Sequence, residues 1–139
     1  MKLWEKGKLK PMDVRLGNYV ANSTGYPMYI VSMGLNDKEG ADFYLDFDGN
    51  EADLWDEYLT DISALPINES DNLLEQFGFI YDEPTGKWIA IKESETIYLK
   101  QNGDKYDVFT HGEDGVHGKV QYIHQLQNFV YDKLDIELR

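Results

Sequence analysis

Three groups of side chains have the types and spacing that site chemistry needs. The first is His111-Gly-Glu-Asp-Gly-Val-His117, which holds two of the three histidines with Glu113 and Asp114 between them. Imidazoles and carboxylates in one short stretch are the donor set of a zinc or non-haem metal site. Glycines spread through the stretch impose no ligand geometry, so a flexible glycine-rich loop is the stronger reading. The second group is Asp46-Phe-Asp48-Gly-Asn50 followed by Glu57, which matches positions 1, 3, 5 and 12 of a calcium loop. Glu51 stands where that loop requires glycine, and Asp53 where it takes an apolar residue. An ordinary acidic turn is the better reading, and no metal or other cofactor is expected. The third group is Tyr122-Ile-His-Gln-Leu-Gln-Asn128, with Tyr131 beyond it. His124, Asn128 and Tyr131 follow i, i+4, i+7 spacing on a helix, with Gln125 and Gln127 beside them. Such groups either fix the helix by hydrogen bonds to neighbouring elements or offer a polar recognition strip to a partner.

Catalytic signatures are missing. There is no cysteine, which excludes thiolate catalysis, disulfides and Cys-based metal sites. No Gly-x-Ser-x-Gly, Gly-x-x-x-x-Gly-Lys or Gly-x-Gly-x-x-Gly run occurs. The chain is expected not to be an enzyme.

Charge is the strongest signal. The 139 residues carry 13 basic and 26 acidic side chains, a formal net charge of −13. Between Asp37 and Glu83 stand 15 acidic residues and a single basic one, Lys38. The first fifteen residues lean basic, through Lys2, Lys6, Lys8, Lys10 and Arg15. Such a field repels phosphate, so direct binding to nucleic acid or to an anionic membrane is not expected. An acidic surface keeps a protein soluble, and it also suits a basic protein partner. Trp55, inside Leu54-Trp-Asp-Glu-Tyr58, is either an interface anchor ringed by acids or a core residue; Trp4 is a second candidate anchor. The candidate partner surface thus comprises Asp46, Asp48, Asp53, Trp55, Asp56 and Glu57, together with His124, Gln125, Asn128 and Tyr131.

These residues must be positioned by an α+β fold. An apolar fraction of 42% supports a real core. In the first half, Val14–Val20, Tyr26–Met33, Ala41–Phe47 and Tyr58–Ile62 read as short strands, with Val14, Leu16 and Val20 as inward residues. Asn22-Ser-Thr-Gly25 and Asp48-Gly49 read as turns, and Gly34 to Gly40 as a polar loop. Phe43, Leu45 and Phe47 fall on one strand face. This rhythm predicts a small SH3-like β-barrel or curled sheet over residues 12–66. A short helix follows, capped by Asn68 or Ser70, with Leu73, Leu74 and Phe77 on its apolar face and Gly78 as its stop. Phe79–Tyr81, Lys87–Ile91, Thr96–Leu99 and Lys105–Phe109 predict an antiparallel meander, turned at Asp82–Gly86 and at Gln101-Asn-Gly-Asp104. The longest helix is predicted from about Lys119 to Asp135, with Ile123, Leu126, Val130 and Leu134 as the stripe that packs on the meander. Both halves are read as one domain, residues 1–139.

Four of these segments carry a resemblance. Leu16-Gly-Asn-Tyr-Val20, Leu65-Pro-Ile-Asn68, Leu73-Leu-Glu-Gln-Phe-Gly-Phe79 and Tyr122-Ile-His-Gln-Leu-Gln-Asn128 occur here in that order. The chain resembles, over nearly its whole length, a family of small proteins from Bacteroidetes genomes and the phages and mobile elements that inhabit them. The first segment departs slightly from the family's Leu-Arg-Ile-Gly-Asn-Tyr-Val, having Val14-Arg-Leu16. The resemblance implies a phage or prophage setting and brings no activity with it. With no apolar run behind Met-Lys-Leu-Trp-Glu-Lys, a cytoplasmic location in the host cell is expected.

The expected function is non-enzymatic protein–protein binding, in its sharper form inhibition of a basic host protein by mimicry of nucleic acid. The alternatives are a small-molecule binder or small enzyme with a pocket near the last helix, and a structural phage or homo-oligomeric subunit.

Overall fold

The computed structural model describes residue 9 and residues 13–36, 42–48, 57–58, 62–111, 115 and 117–139. The chain is α+β and divides between Leu65 and Pro66 into two compact units. In the N-terminal unit, β1 (Tyr19–Ala21), β2 (Pro27–Asn36), β3 (Asp42–Phe47) and the two-residue β4 (Glu57–Tyr58) form an antiparallel sheet in sequence order. Asn22 builds the β1–β2 connection. Its Oδ1 accepts hydrogen bonds from the backbone N–H of Thr24 (3.0 Å) and Tyr26 (2.9 Å) and from the Thr24 hydroxyl (2.8 Å). Pro27 sits at the first residue of β2, where its missing N–H matters least. A register shift between Ile30 and Ser32 makes Val31 a bulge residue, turned outward and exposed. Val20, Ile30, Leu45, Phe47 and Ile62 are buried.

Three expectations for this half are corrected. Among the described residues the sheet does not close into a barrel. On the outer edge of β1, Ala21 and Ser63 exchange both backbone hydrogen bonds (2.9 and 3.1 Å), but this is one bridge and not a strand pair. Leu16 is 60% exposed rather than inward. The chain turns at Leu16-Gly17, where Gly17 takes φ +91, and the Asn18 side chain accepts from the Arg15 N–H at 2.8 Å. That turn breaks the alternation and puts Asn18, 3% exposed, in the buried position. The strand β2 runs on through Gly34–Asn36, which read as loop, because each residue finds a backbone partner across β3.

The C-terminal unit begins with a 3₁₀ turn, Ile67–Glu69, and α1 (Asp71–Gln76). Neither Asn68 nor Ser70 caps α1 with its side chain; the Ser70 hydroxyl instead donates to the Pro66 carbonyl at 2.7 Å. The C-terminus does end as expected. Gly78 takes φ +100, its N–H donates to the Glu75 carbonyl (3.0 Å), and the Phe79 N–H donates to the Leu74 carbonyl (2.9 Å). That is a Schellman closure, with buried Leu74 and Phe79 as its apolar pair.

Five strands then form an antiparallel meander in sequence order: β5 (Ile80–Asp82), β6 (Lys87–Lys92), β7 (Glu95–Asn102), β8 (Lys105–Thr110) and β9 (His117–Val120). The β7–β8 loop is Gly103-Asp104, with Gly103 at φ +68 in the first loop position, the sign pattern of a type II′ turn. In the β6–β7 loop, Glu93 (φ +48) and Ser94 (φ +72) both occupy left-handed backbone without glycine.

The last strand and last helix differ from expectation. His117–Val120 is strand rather than loop and helix start, and α2 runs Ile123–Leu134 rather than from Lys119. The strand exists because β8 supplies partners for all four residues. The expected packing of the helix on the meander does occur. A Cβ on Gly118 would lie 2.3 Å from the Phe129 ring, so this glycine is the seat of an α2 side chain. Ile123, Leu126 and Val130 are fully buried beneath the helix.

Candidate functional site

Alternation assigns each strand residue of the meander to one of two faces. The covered face holds Trp88, Ala90, Ile97, Leu99, Tyr106, Val108, Thr110 and Val120, all buried. Phe129 of α2 seats on Gly118 here, and the end of the Lys92 side chain, Cε and Nζ, lies over Gly78 at the end of α1. Desolvation raises the Tyr106 phenol above its ordinary pKa, with the Asp71 carboxylate and Tyr81 adding to the effect.

The opposite face lies open and is organised in two rows that cross all five strands. Backbone register aligns Ile80, Ile89, Tyr98, Phe109 and His117 in one row. It aligns Asp82, Lys87, Lys100, Asp107 and Lys119 in the next. Along the first row the Tyr98 and Phe109 rings stack at 5.1 Å and the Phe109 and His117 rings at 5.9 Å. The Lys87 ammonium lies 5.6 Å from the Tyr98 ring centre and 5.3 Å from that of Phe109, in cation–π range. Ile80 and Ile91 on this face are each 74% exposed. At its β8–β9 end lies an open depression of about 420 Å³ lined by Asp107, Phe109, His117, Gly118 and Lys119. These rows were not read from the sequence. The available signal was Trp88-Ile-Ala-Ile91, an unbroken apolar run that puts apolar side chains on both faces of one strand.

The residues singled out in the sequence are placed as follows. His117 is the last member of the apolar row, and exposed His111 lies 6.4 Å from the Tyr98 ring. Glu113 and Asp114, between them, lie outside the described residues. No group of three His, Asp or Glu side chains able to hold a metal occurs among the described residues. In the N-terminal unit, Asp46 is half-buried and its Oδ1 accepts from the Phe47 N–H at 2.9 Å, while Asp48 is exposed. Glu57 pairs through its backbone with Leu45. Trp4, Glu51, Asp53, Trp55 and Asp56 lie outside the described residues, and with them most of the calcium-like stretch.

The polar strip of α2 is divided between inside and outside. Gln125 Oε1 accepts from the backbone N–H of Gln121 (2.9 Å) and Tyr122 (3.1 Å), closing the first turn of the helix. The Gln127 Nε2 donates to the Leu138 carbonyl at 2.9 Å and ties the chain end to the helix. His124, 4% exposed, stacks on Tyr122 with ring centres 6.0 Å apart. Asn128 is half-buried, and Tyr131, 52% exposed, stands at the surface. Neither His124 nor Asn128 lines the depression at β8–β9.

Among the described residues, no helix is long and apolar enough to cross a membrane. No family model matches the sequence, and comparison with curated proteins and with solved structures likewise gives no match.

Proposed function

We propose that this is a non-enzymatic binding protein that works by protein–protein contact, with its acid-rich stretch set against a basic partner. The observation that carries this reading is the concentration of 15 acidic residues against one basic residue between Asp37 and Glu83. The described acids of that stretch support it by their positions. Asp48, Glu69, Asp71, Glu75 and Glu83 are exposed, and Asp46 and Asp82 are half-buried, so this charge meets solvent and is available to a partner. Carboxylates concentrated along one stretch of chain attract a basic protein at long range and compete for surfaces that otherwise take nucleic acid. The resemblance to proteins of Bacteroidetes phages and mobile elements implies a phage or prophage setting, and the acidic field makes a basic host protein the proposed partner.

The test is affinity capture from host lysate at low and at high salt, comparing the wild type with the triple variant Asp53→Lys/Asp56→Lys/Glu57→Lys. Capture of a basic protein by the wild type alone, lost at high salt, is the expected result. Capture that survives both the salt and the triple change contradicts the acidic surface as the binding surface.

A further inference from the structure

The open face of the five-stranded sheet has an order that solvation alone does not require. From β5 to β9 its charged row reads minus, plus, plus, minus, plus, through Asp82, Lys87, Lys100, Asp107 and Lys119. We propose that this face is the interface of a two-fold dimer, in which a second copy of the chain lays its own open sheet face to face on the first.

Symmetry and charge select the arrangement. Two stacked sheets related by a two-fold need an axis lying between them, parallel to their planes. An axis running across the strands either sets every charge of the row against its own copy or, displaced along the strands, sets the charged row on residues outside it and forms no pair within it. An axis parallel to the strands, through the central strand β7, reverses the row instead. Asp82 then faces the partner's Lys119, and Lys87 faces the partner's Asp107. Each pairing occurs twice, so four opposite-charge pairs form. The single like-charge meeting is Lys100 with the partner's Lys100, on the axis, where long exposed side chains can swing apart.

Shape follows the same operation. The apolar row reverses too, setting Ile89 on the partner's Phe109 and Tyr98 on the partner's Tyr98. Ile80, at one end of the row, is 74% exposed and projects as a knob. At the other end lies the depression lined by Asp107, Phe109, His117 and Lys119. The axis that pairs the charges brings the partner's Ile80 over that depression. Charge and shape are thus self-complementary under one operator, which a two-fold interface demands.

The size of the face sets the strength. Five strands span about 19 Å from first to last, and six strand residues run about 20 Å, on the order of 400 Å² in plan per copy. That lies below the roughly 600 Å² per partner at which standard specific interfaces begin, so the dimer is weak and exchanges with monomer. Stacked rings beside lysines would also suit a planar anionic ligand, but Asp82 and Asp107 within the lysine row repel phosphate. From the acid-rich stretch the face takes only Ile80 and Asp82 of β5, and its test needs no other protein.

Sedimentation equilibrium of the full chain tests it. The wild type is expected to show a reversible monomer–dimer equilibrium. Lys119→Asp sets a carboxylate against the partner's Asp82 and should weaken association by at least about tenfold, and adding Asp82→Lys should restore it to within about threefold. Asp82 also accepts from the Thr85 hydroxyl in the β5–β6 turn, so its substitution disturbs that turn. The second swap, Lys87→Asp with Asp107→Lys, tests the same axis without that complication: either change alone weakens the dimer, and both together restore it. Lys100→Gln should tighten it. A wild type that stays monomeric at every concentration, a dimer indifferent to Lys119→Asp, or charge swaps that both fail to rescue would overturn the proposal.

Discussion

The two faces of the five-stranded sheet share every strand and yet serve different ends. On one, Ile97, Leu99 and Val108 are closed off from water; on the other, one residue along each strand, Tyr98, Lys100 and Phe109 remain at or near the surface. Hydrophobicity does not separate them. Tyr106 and Thr110 are buried, while Ile80 and Ile91 are 74% exposed. What separates them is where the helices lie. Phe129 seated on Gly118 marks the face that α2 covers, and the uncovered face keeps its apolar row free for another surface. One face holds the fold, and the other is available for contact.

The largest test of that division is a pair of truncations. Leu99→Ala should cost about 2–5 kcal/mol of unfolding free energy, the range for a large-to-small change at a buried site. Ile91→Thr on the open face should change it by no more than about 0.5 kcal/mol. Denaturant melts of both variants decide it, and similar losses would mean that the open face is not open. Next in size is Gly118→Ala, which places a Cβ 2.3 Å from the Phe129 ring. Overpacking there should cost about 1–3 kcal/mol. Combining it with Phe129→Ala should cost less than the sum of the two single changes, because the clash disappears with the ring. Gln127→Leu sharpens the account of the covering helix. It leaves the Leu138 carbonyl without its side-chain donor and should cost about 1–2 kcal/mol, read by thermal melting. The smallest effect is a gain. The β6–β7 turn holds Glu93 and Ser94 at positive φ, and Glu93→Asn with Ser94→Gly should stabilise by about 1 kcal/mol while leaving both faces unchanged.

Local signals made much of this architecture legible in the sequence. Pro84 and Gly86, the Asn102-Gly103 pair and the apolar Leu73, Leu74 and Phe77 before Gly78 locate turns and helix from chemistry within a few residues. What was not legible depends on contacts distant in sequence. Strand β9 carries Gly118 where a strand pattern needs a side chain, because Phe129 fills that space from eleven positions onward. Leu16 fits an inward position by alternation, yet the Gly17 turn sends it outward. The polar strip of α2 shows one helical line in sequence, but the Leu138 carbonyl that draws Gln127 inward comes from the chain end. The two rows of the open face were hidden for a further reason. Each strand contributes one residue to each row, so the pattern exists only after four registers are known, including that of the unforeseen β9.

The measurement that bears most directly on the division of labour between the faces is sedimentation equilibrium of Ile89→Lys beside the wild type, with a thermal melt of each. Ile89 lies on the open face, in the row set against the partner's Phe109. A lysine there should leave the melt nearly unchanged and abolish self-association. A variant that unfolds early shows that the face supports the fold, and a variant that still dimerises like the wild type shows that the face is not the contact surface; either result contradicts the account.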